Sequence, residues 1–203
     1  MTEDLRARVA ARFVDVNGDH PMTSADDEYV DQHFVPLTDL SADPEWVRAE
    51  MVAGRVPLPS YLRSDGVEMV PSDLLSLAEE AGGTSELAEW FGRQSWPDEA
   101  TAAEEWESYL SGQYVCLRSV TPRNIQRKGD LVSAIKTELE QPQPDSRAWV
   151  ERLHGLVDAL ESVELPFTDY DRLRFAGPVS RDTYIDQVRA KYPAGQSLPA
   201  AVR

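Results

Sequence analysis

A mainly α-helical single globular unit, with a small β-hairpin wing in its N-terminal half, is the fold class this sequence predicts. Three observations carry that expectation. Residues 146–163, SRAWVERLHGLVDALESV, place Trp149, Leu153, Leu156, Val157, Leu160 and Val163 on one stripe at helical spacing. Two helix starts are marked by a capping side chain followed by proline, Asp43-Pro44 and Thr121-Pro122. One stretch, SYLRSDGVEMV (60–70), puts two short apolar-rich runs around Asp65-Gly66, a favoured tight turn.

The elements follow in order. Leu5, Val9 and Phe13 recur every four residues and predict a short helix over 2–14. NGDHP (17–21) breaks it, because Asn-Gly favours positive φ and Pro21 bars a helix at His20. Thr23 or Ser24 caps a second helix through about Phe34, and a short helix is expected around Leu37–Leu40. The helix that opens at Asp43-Pro44 stops at Gly54, and VPLP is extended because residues before proline avoid the α region. After the hairpin, Ser72 is expected to cap DLLSLAEEA, and Thr84 to open a helix carrying Leu87, Trp90 and Phe91. Thr101 and Glu104 have capping-box spacing ahead of Trp106, Tyr109 and Leu110. QYVCLRSV reads equally as a short strand or a buried helical turn. A helix from Thr121-Pro122 presents Ile125, Val132, Ile135 and Leu139, and QPQPD links it to the helix over 146–163. Residues 166–179 read as loop, Ser180 as the cap of a last helix, and the tail after Pro193 as frayed. Two parts are expected: 1–83, with the wing, and 84–203, a helical part packed on it.

Composition narrows the function classes. A chain of 203 residues that is 41% hydrophobic, with five Trp, can bury a real core. Its formal net charge of −16 and pI near 4.5 disfavour nucleic acid, since neutralising phosphates needs excess Lys and Arg. One cysteine, Cys116, forbids an intrachain disulfide, which fits a cytoplasmic protein. No apolar run approaches the roughly 18 residues of a spanning helix, so no membrane is expected. The charge is unevenly spread. Segments 1–40 and 41–113 carry −6 and −11, 114–136 carries +4, 137–169 carries −6 and 170–203 carries +3.

Two resemblances add context. Residues 36–80 run short helix, turn, helix, GRVP, a Gly-containing wing turn and PSDL, an order that resembles the MerR-type winged helix-turn-helix. The second helix of that module carries Glu45 and Glu50 against Arg48, and its wing offers only Arg63 against Asp65 and Glu68. The resemblance therefore implies a winged fold used for packing or protein contacts. Nearly the whole chain also resembles an uncharacterised actinobacterial family labelled as natural-product biosynthesis proteins. The segments GRVPLPSYLRSDGVEMVPSDLLSLAEEAGG, WESYLSGQYVCLRSVTPRNIQRKGDLV and PFTDYDRLRFAGPVSRD carry that resemblance. It implies secondary metabolism without naming a mechanism.

Motifs for metals, nucleotides and NTPases are absent, and Glu151, His154 and Asp158 on one helix face read as a solvated charge pair. No metal and no cofactor is expected. Cys116, isolated in an apolar stretch, reads as core. Two basic, aromatic-bearing clusters remain. The first holds Tyr114, Arg118, Thr121, Arg123, Asn124, Arg127 and Lys128 around the helix start at Thr121. The second holds Tyr170, Asp171, Arg172, Arg174 and Arg181. One expectation is a cofactor-independent acid–base enzyme with a pocket between the C-terminal helices. There Arg118, Asn124, Arg127, Lys128, Arg172, Arg174 and Arg181 would hold an acidic or carbonyl-bearing substrate. Tyr114, Tyr170 and Asp171 would move protons. The plainer alternative is that these arginines tie the chain to its own carboxylates. A winged-helix-derived adaptor or regulator that binds a pathway protein, with DNA the less favoured partner, stays open at this point, as does a homodimer.

Overall fold

The computed structural model describes residues 4–194. The described chain is mainly helical, with a small three-stranded antiparallel sheet. Asp4 caps α1 (Leu5–Asn17) by accepting from the amides of Arg6 and Ala7. Thr23 and Asp26 form a reciprocal capping box that opens α2 (Ser24–His33). Asp43 and Pro44 open α3 (Pro44–Val52), as their spacing predicts. Strand β1 (Val35–Pro36) then joins the expected hairpin of β2 (Tyr61–Leu62) and β3 (Glu68–Val70), and β3 takes the centre, in the order β1-β3-β2. In register Val35 faces Val70, and Met69 faces both Pro36 and Tyr61. The third strand is too short for any alternation to announce it. The helix expected around Leu37–Leu40 is a single 3₁₀ turn, Leu37–Asp39.

The middle of the chain shifts several caps. Ser72 does not cap: α4 (Ser76–Ala81) starts at Leu75 without a side-chain cap and ends at Gly82, φ 93°. Thr84 instead donates to Glu50, and α5 spans Leu87–Gly92. Asp98, not Thr101, caps α6 (Glu99–Leu110). QYVCLRSV resolves into both readings at once: a 3₁₀ turn at Tyr114–Cys116, then a bridge pairing Leu117 with Glu164. Thr121 and Pro122 open the longest helix, α7 (Pro122–Glu140), and Ser146 caps α8 (Arg147–Val163). The expected loop 166–179 contains α9 (Asp169–Arg174), which is held by a Thr168–Asp171 capping box. Ser180 is no cap, because its hydroxyl donates to Glu164; a π turn at Asp182–Asp186 leads into α10 (Gln187–Lys191). Most of the tail after Pro193 lies outside the described residues.

The core is continuous across the two sequence parts. Leu153, Val157 and Leu160 of α8 are fully buried, each worth roughly 1.5–3 kcal/mol of transfer free energy. Val30, Phe34, Tyr61 and Met69 pack in one cluster with Val115, Leu165 and Tyr170, so the sheet and the C-terminal helices share an interior. The Leu58 amide bonds the Leu110 carbonyl at 2.9 Å beside Gly112. A Cβ on Gly112 would lie 2.7 Å from both the Leu58 and Pro59 carbonyl oxygens, and φ there is 74°. Gly112→Ala is therefore expected to cost on the order of 2 kcal/mol, read as a lower urea midpoint at unchanged slope. An unchanged midpoint would mean that the 58–59 backbone yields freely.

Candidate functional site

The expected pocket between the two basic clusters does not form, because most of its cations bind the chain itself. Arg172 reaches Asp182 through two bonds of 2.9 and 2.7 Å and also touches Asp169. Arg181 bonds Glu161 at 2.6 Å. Arg174, 8% exposed, donates to Asn17 Oδ1 (2.8 Å), the Ser60 carbonyl (2.7 Å) and the Gly112 carbonyl (3.2 Å). Its guanidinium also lies against the rings of Phe13, Tyr61 and Phe175, and burial pulls its pKa down. These three arginines are fastenings. Within the first cluster, Asn124 donates to the Ser119 carbonyl and Tyr114 to Glu105. Arg118, Arg123 and Arg127 are different. They are exposed, and they are the only Lys or Arg side chains among the described residues without a hydrogen bond, ion pair or ring contact.

Tyr170 and Asp171 lie side by side in α9 and face different surroundings. Asp171 is 1% exposed. Its Oδ1 accepts from the Tyr61 hydroxyl at 2.9 Å, and its Oδ2 accepts from the Thr168 amide and hydroxyl at 2.8 and 3.0 Å. Burial raises its pKa against those bonds. With both oxygens engaged, Asp171 supports the site from behind and does not meet a ligand. Tyr170 is also buried, with its ring 5.9 Å from that of Tyr61. The residue lines a groove of about 280 Å³, and its hydroxyl has no hydrogen-bond partner among the described residues. Burial raises the Tyr170 pKa, so the phenol keeps its proton and acts as a donor.

Groove walls come from the end of α1, the loop after it and the tip of β2, including Gly18, Asp19, His20, Met22, Arg63 and Ser64. The loop position is built in. Gly18 has φ 78°, and a Cβ there would lie 2.8 Å from His20 Nε2, so glycine lets the imidazole fold back over the chain. Acids of α2 and the hairpin turn brace the opposite wall: Arg63 pairs with Asp31 at 2.8 Å and Asp65 at 2.6 Å, and Asp27 accepts from Ser64. The groove thus offers a fixed O–H donor, an imidazole and an exposed carboxylate. Sequence reasoning missed His20; the one signal for it was its place in the NGDHP break. Tyr114 lines a different, mainly apolar cleft with Leu58, Leu74 and Tyr109, whose volume of about 30 Å³ holds little more than a water. Tyr114 and Tyr170 do not share a site.

A second polar constellation is buried where α7 meets the end of α8. Lys128 Nζ lies 3.0 Å from Cys116 Sγ and 3.2 Å from Glu164 Oε1. Ser180 donates to the same oxygen at 2.5 Å. Glu164 is 0% exposed, and its Oε2 has no partner. Backbone pairing fixes the arrangement: the Leu165 amide bonds the Cys116 carbonyl at 2.7 Å, and the Arg118 amide bonds the Val163 carbonyl at 3.1 Å. Burial pushes the Cys116 thiol up; for Lys128, desolvation pulls down, but Cys116 and Glu164 raise it further. Both groups therefore stay protonated at neutral pH. Sequence reasoning put Lys128 in a substrate pocket, yet the structure turns it inward. Glu164 and Ser180 lie far from it in sequence, so no local pattern joined them.

Among the described residues, no group of His, Cys, Asp or Glu is placed to hold a metal ion, and no helix is long and apolar enough to cross a membrane. Residues 91–193 match a family model described as "Family of unknown function (DUF6058)". That stretch contains Cys116, Lys128, Glu164, Tyr170, Asp171 and Arg174, and excludes His20 and Arg63. No curated protein and no solved structure matches the chain.

Proposed function

Since the chain belongs to this family of unknown function (DUF6058), its role has to be argued from its own residues, and we propose that it is a small-molecule protein of natural-product biosynthesis. In this reading, it binds a substrate with a carbonyl or carboxylate oxygen in the groove over Tyr170. Tyr170 donates a hydrogen bond to that oxygen, and His20 exchanges a proton with the neighbouring carbon or hydroxyl. Isomerisation, dehydration and cyclisation all need only such groups and a shaped cavity, with no cofactor. The observation that carries the reading is Tyr170, a largely buried side chain that lines the groove and whose hydroxyl has no hydrogen-bond partner among the described residues.

Protein-observed NMR with carbonyl- and carboxylate-bearing fragments tests this. The expected hits perturb the amides of Gly18, His20, Met22 and Ser64. Tyr170→Phe is expected to weaken them about tenfold while leaving the unfolding midpoint unchanged, since that hydroxyl supports nothing inside. Hits that map elsewhere, or that ignore Tyr170→Phe, would sink the reading.

A second reading rests on a separate observation, the unpartnered Arg118, Arg123 and Arg127 on the surface of an acidic protein. Here they form a docking face for an acidic segment of a pathway protein, and the winged module serves as packing. The would-be DNA helix favours this over nucleic acid: Arg48 is buried in a 2.6 Å pair with Glu68, which leaves Glu45 as the exposed charge of that pair of turns.

A further inference from the structure

We propose that Cys116 and Lys128 form an oxidative cross-link, a single oxygen atom bridging Sγ to Nζ, with Glu164 as the proton acceptor. Three features of the buried constellation converge on this. Sγ and Nζ are already 3.0 Å apart, a separation one bridging oxygen spans with little movement, whereas a direct S–N bond would need the side chains to close much further. Forming a bond at Nζ requires the ammonium to lose protons, and Glu164 Oε1 lies 3.2 Å away to take one. The fully buried Oε2 of Glu164, unpartnered in the reduced protein, is the free position on that same carboxylate. Lys128 keeps 20% of its side chain exposed, which gives a small oxidant its way in, while the burial of Cys116 excludes larger thiols.

The step balances with dioxygen as oxidant. The Cys116 thiol, the Lys128 ammonium, the Glu164 carboxylate and one O₂ give the S–O–N bridge, one water and the Glu164 carboxylic acid. The S–H bond, two N–H bonds and the O–O bond break, and S–O and O–N bonds form. Sulfur and nitrogen each lose two electrons, and dioxygen takes all four. Two molecules of hydrogen peroxide do the same oxidation and leave three waters. The product also suits its surroundings. A bridged nitrogen is a weak base that carries no charge, and the protonated Glu164 no longer needs a cation in a dry interior. The bridge ties the 3₁₀ turn before Arg118 to α7, so it acts as a redox latch rather than as a catalytic centre.

Mass spectrometry on the folded full chain, treated with hydrogen peroxide and digested without reductant, decides the matter. The expected result is a whole-chain gain of one oxygen with loss of two hydrogens, together with a joined peptide carrying Cys116 and Lys128. A thiol reductant added after denaturation should reverse both changes. Cys116→Ser and Lys128→Arg should lose the joined peptide. The arginine variant keeps a cation beside Glu164, so its loss reports chemistry and not misfolding; circular dichroism checks both folds. Glu164→Gln should slow bridging by about tenfold or more. Stepwise addition of oxygens to Cys116 alone, a joined peptide without added oxygen, or no reaction in the folded chain would each overturn the proposal.

Discussion

Arg174→Ala is expected to lower the unfolding free energy by about 3–5 kcal/mol, among the largest losses available to a single substitution here. The guanidinium joins three segments that are remote in sequence: Asn17 at the end of α1, Ser60 at the approach to β2 and Gly112 beyond α6. Removing it strands a side-chain oxygen and two carbonyls in a closed interior and opens a void between Phe13, Tyr61 and Phe175. Lysine should recover little, because a point charge with one nitrogen cannot reproduce a planar fork aimed at three acceptors. Urea unfolding of the alanine and lysine variants measures both. A loss under 1 kcal/mol for alanine would show that water fills the site and satisfies the same acceptors.

Lys128→Met should cost a similar amount, about 3–5 kcal/mol, for a different reason. It leaves the Glu164 carboxylate, 0% exposed, with the Ser180 hydroxyl as its single side-chain partner. The sign has an internal check. Combining Lys128→Met with Glu164→Leu removes the buried charge as well, so the double variant should regain a large part of the loss. Simple additivity in that double-mutant cycle would mean that the two side chains are not coupled.

These two residues show why the site was only half legible. Arg174 and Lys128 stood out as members of basic clusters, and both were expected to face a ligand. Local sequence shows that a cation lies near a helix end; it does not show which way the side chain turns. That depends on acceptors 62 to 157 residues away for Arg174, and on Glu164, 36 residues on, for Lys128. Tyr170 was legible as a candidate, but its groove was not, since the walls come from residues 13–22 and 62–64. The plain alternative, arginines tied to the chain's own carboxylates, describes Arg172 and Arg181 well. It fails for Arg118, Arg123 and Arg127, whose side chains are exposed and make no hydrogen bond or ion pair among the described residues.

Caps were read well where a short polar residue directly preceded proline or an apolar stripe. Thr121 and Asp43 are examples, because the capping bond reaches only two or three residues ahead. They were misread where a distant partner competed for the hydroxyl, as Glu50 does for Thr84 and Glu164 for Ser180. Periodicity, proline and turn chemistry act over one or two helical turns, so the sequence alone determined a mainly helical chain, its long C-terminal helices and its one wing. Which polar groups face inward is settled by desolvation, a long-range effect: a buried charge must find a partner wherever the fold brings one. Only the tertiary structure could decide that Arg174 is a fastening, that Cys116, Lys128 and Glu164 meet, and that Tyr170 lines a groove.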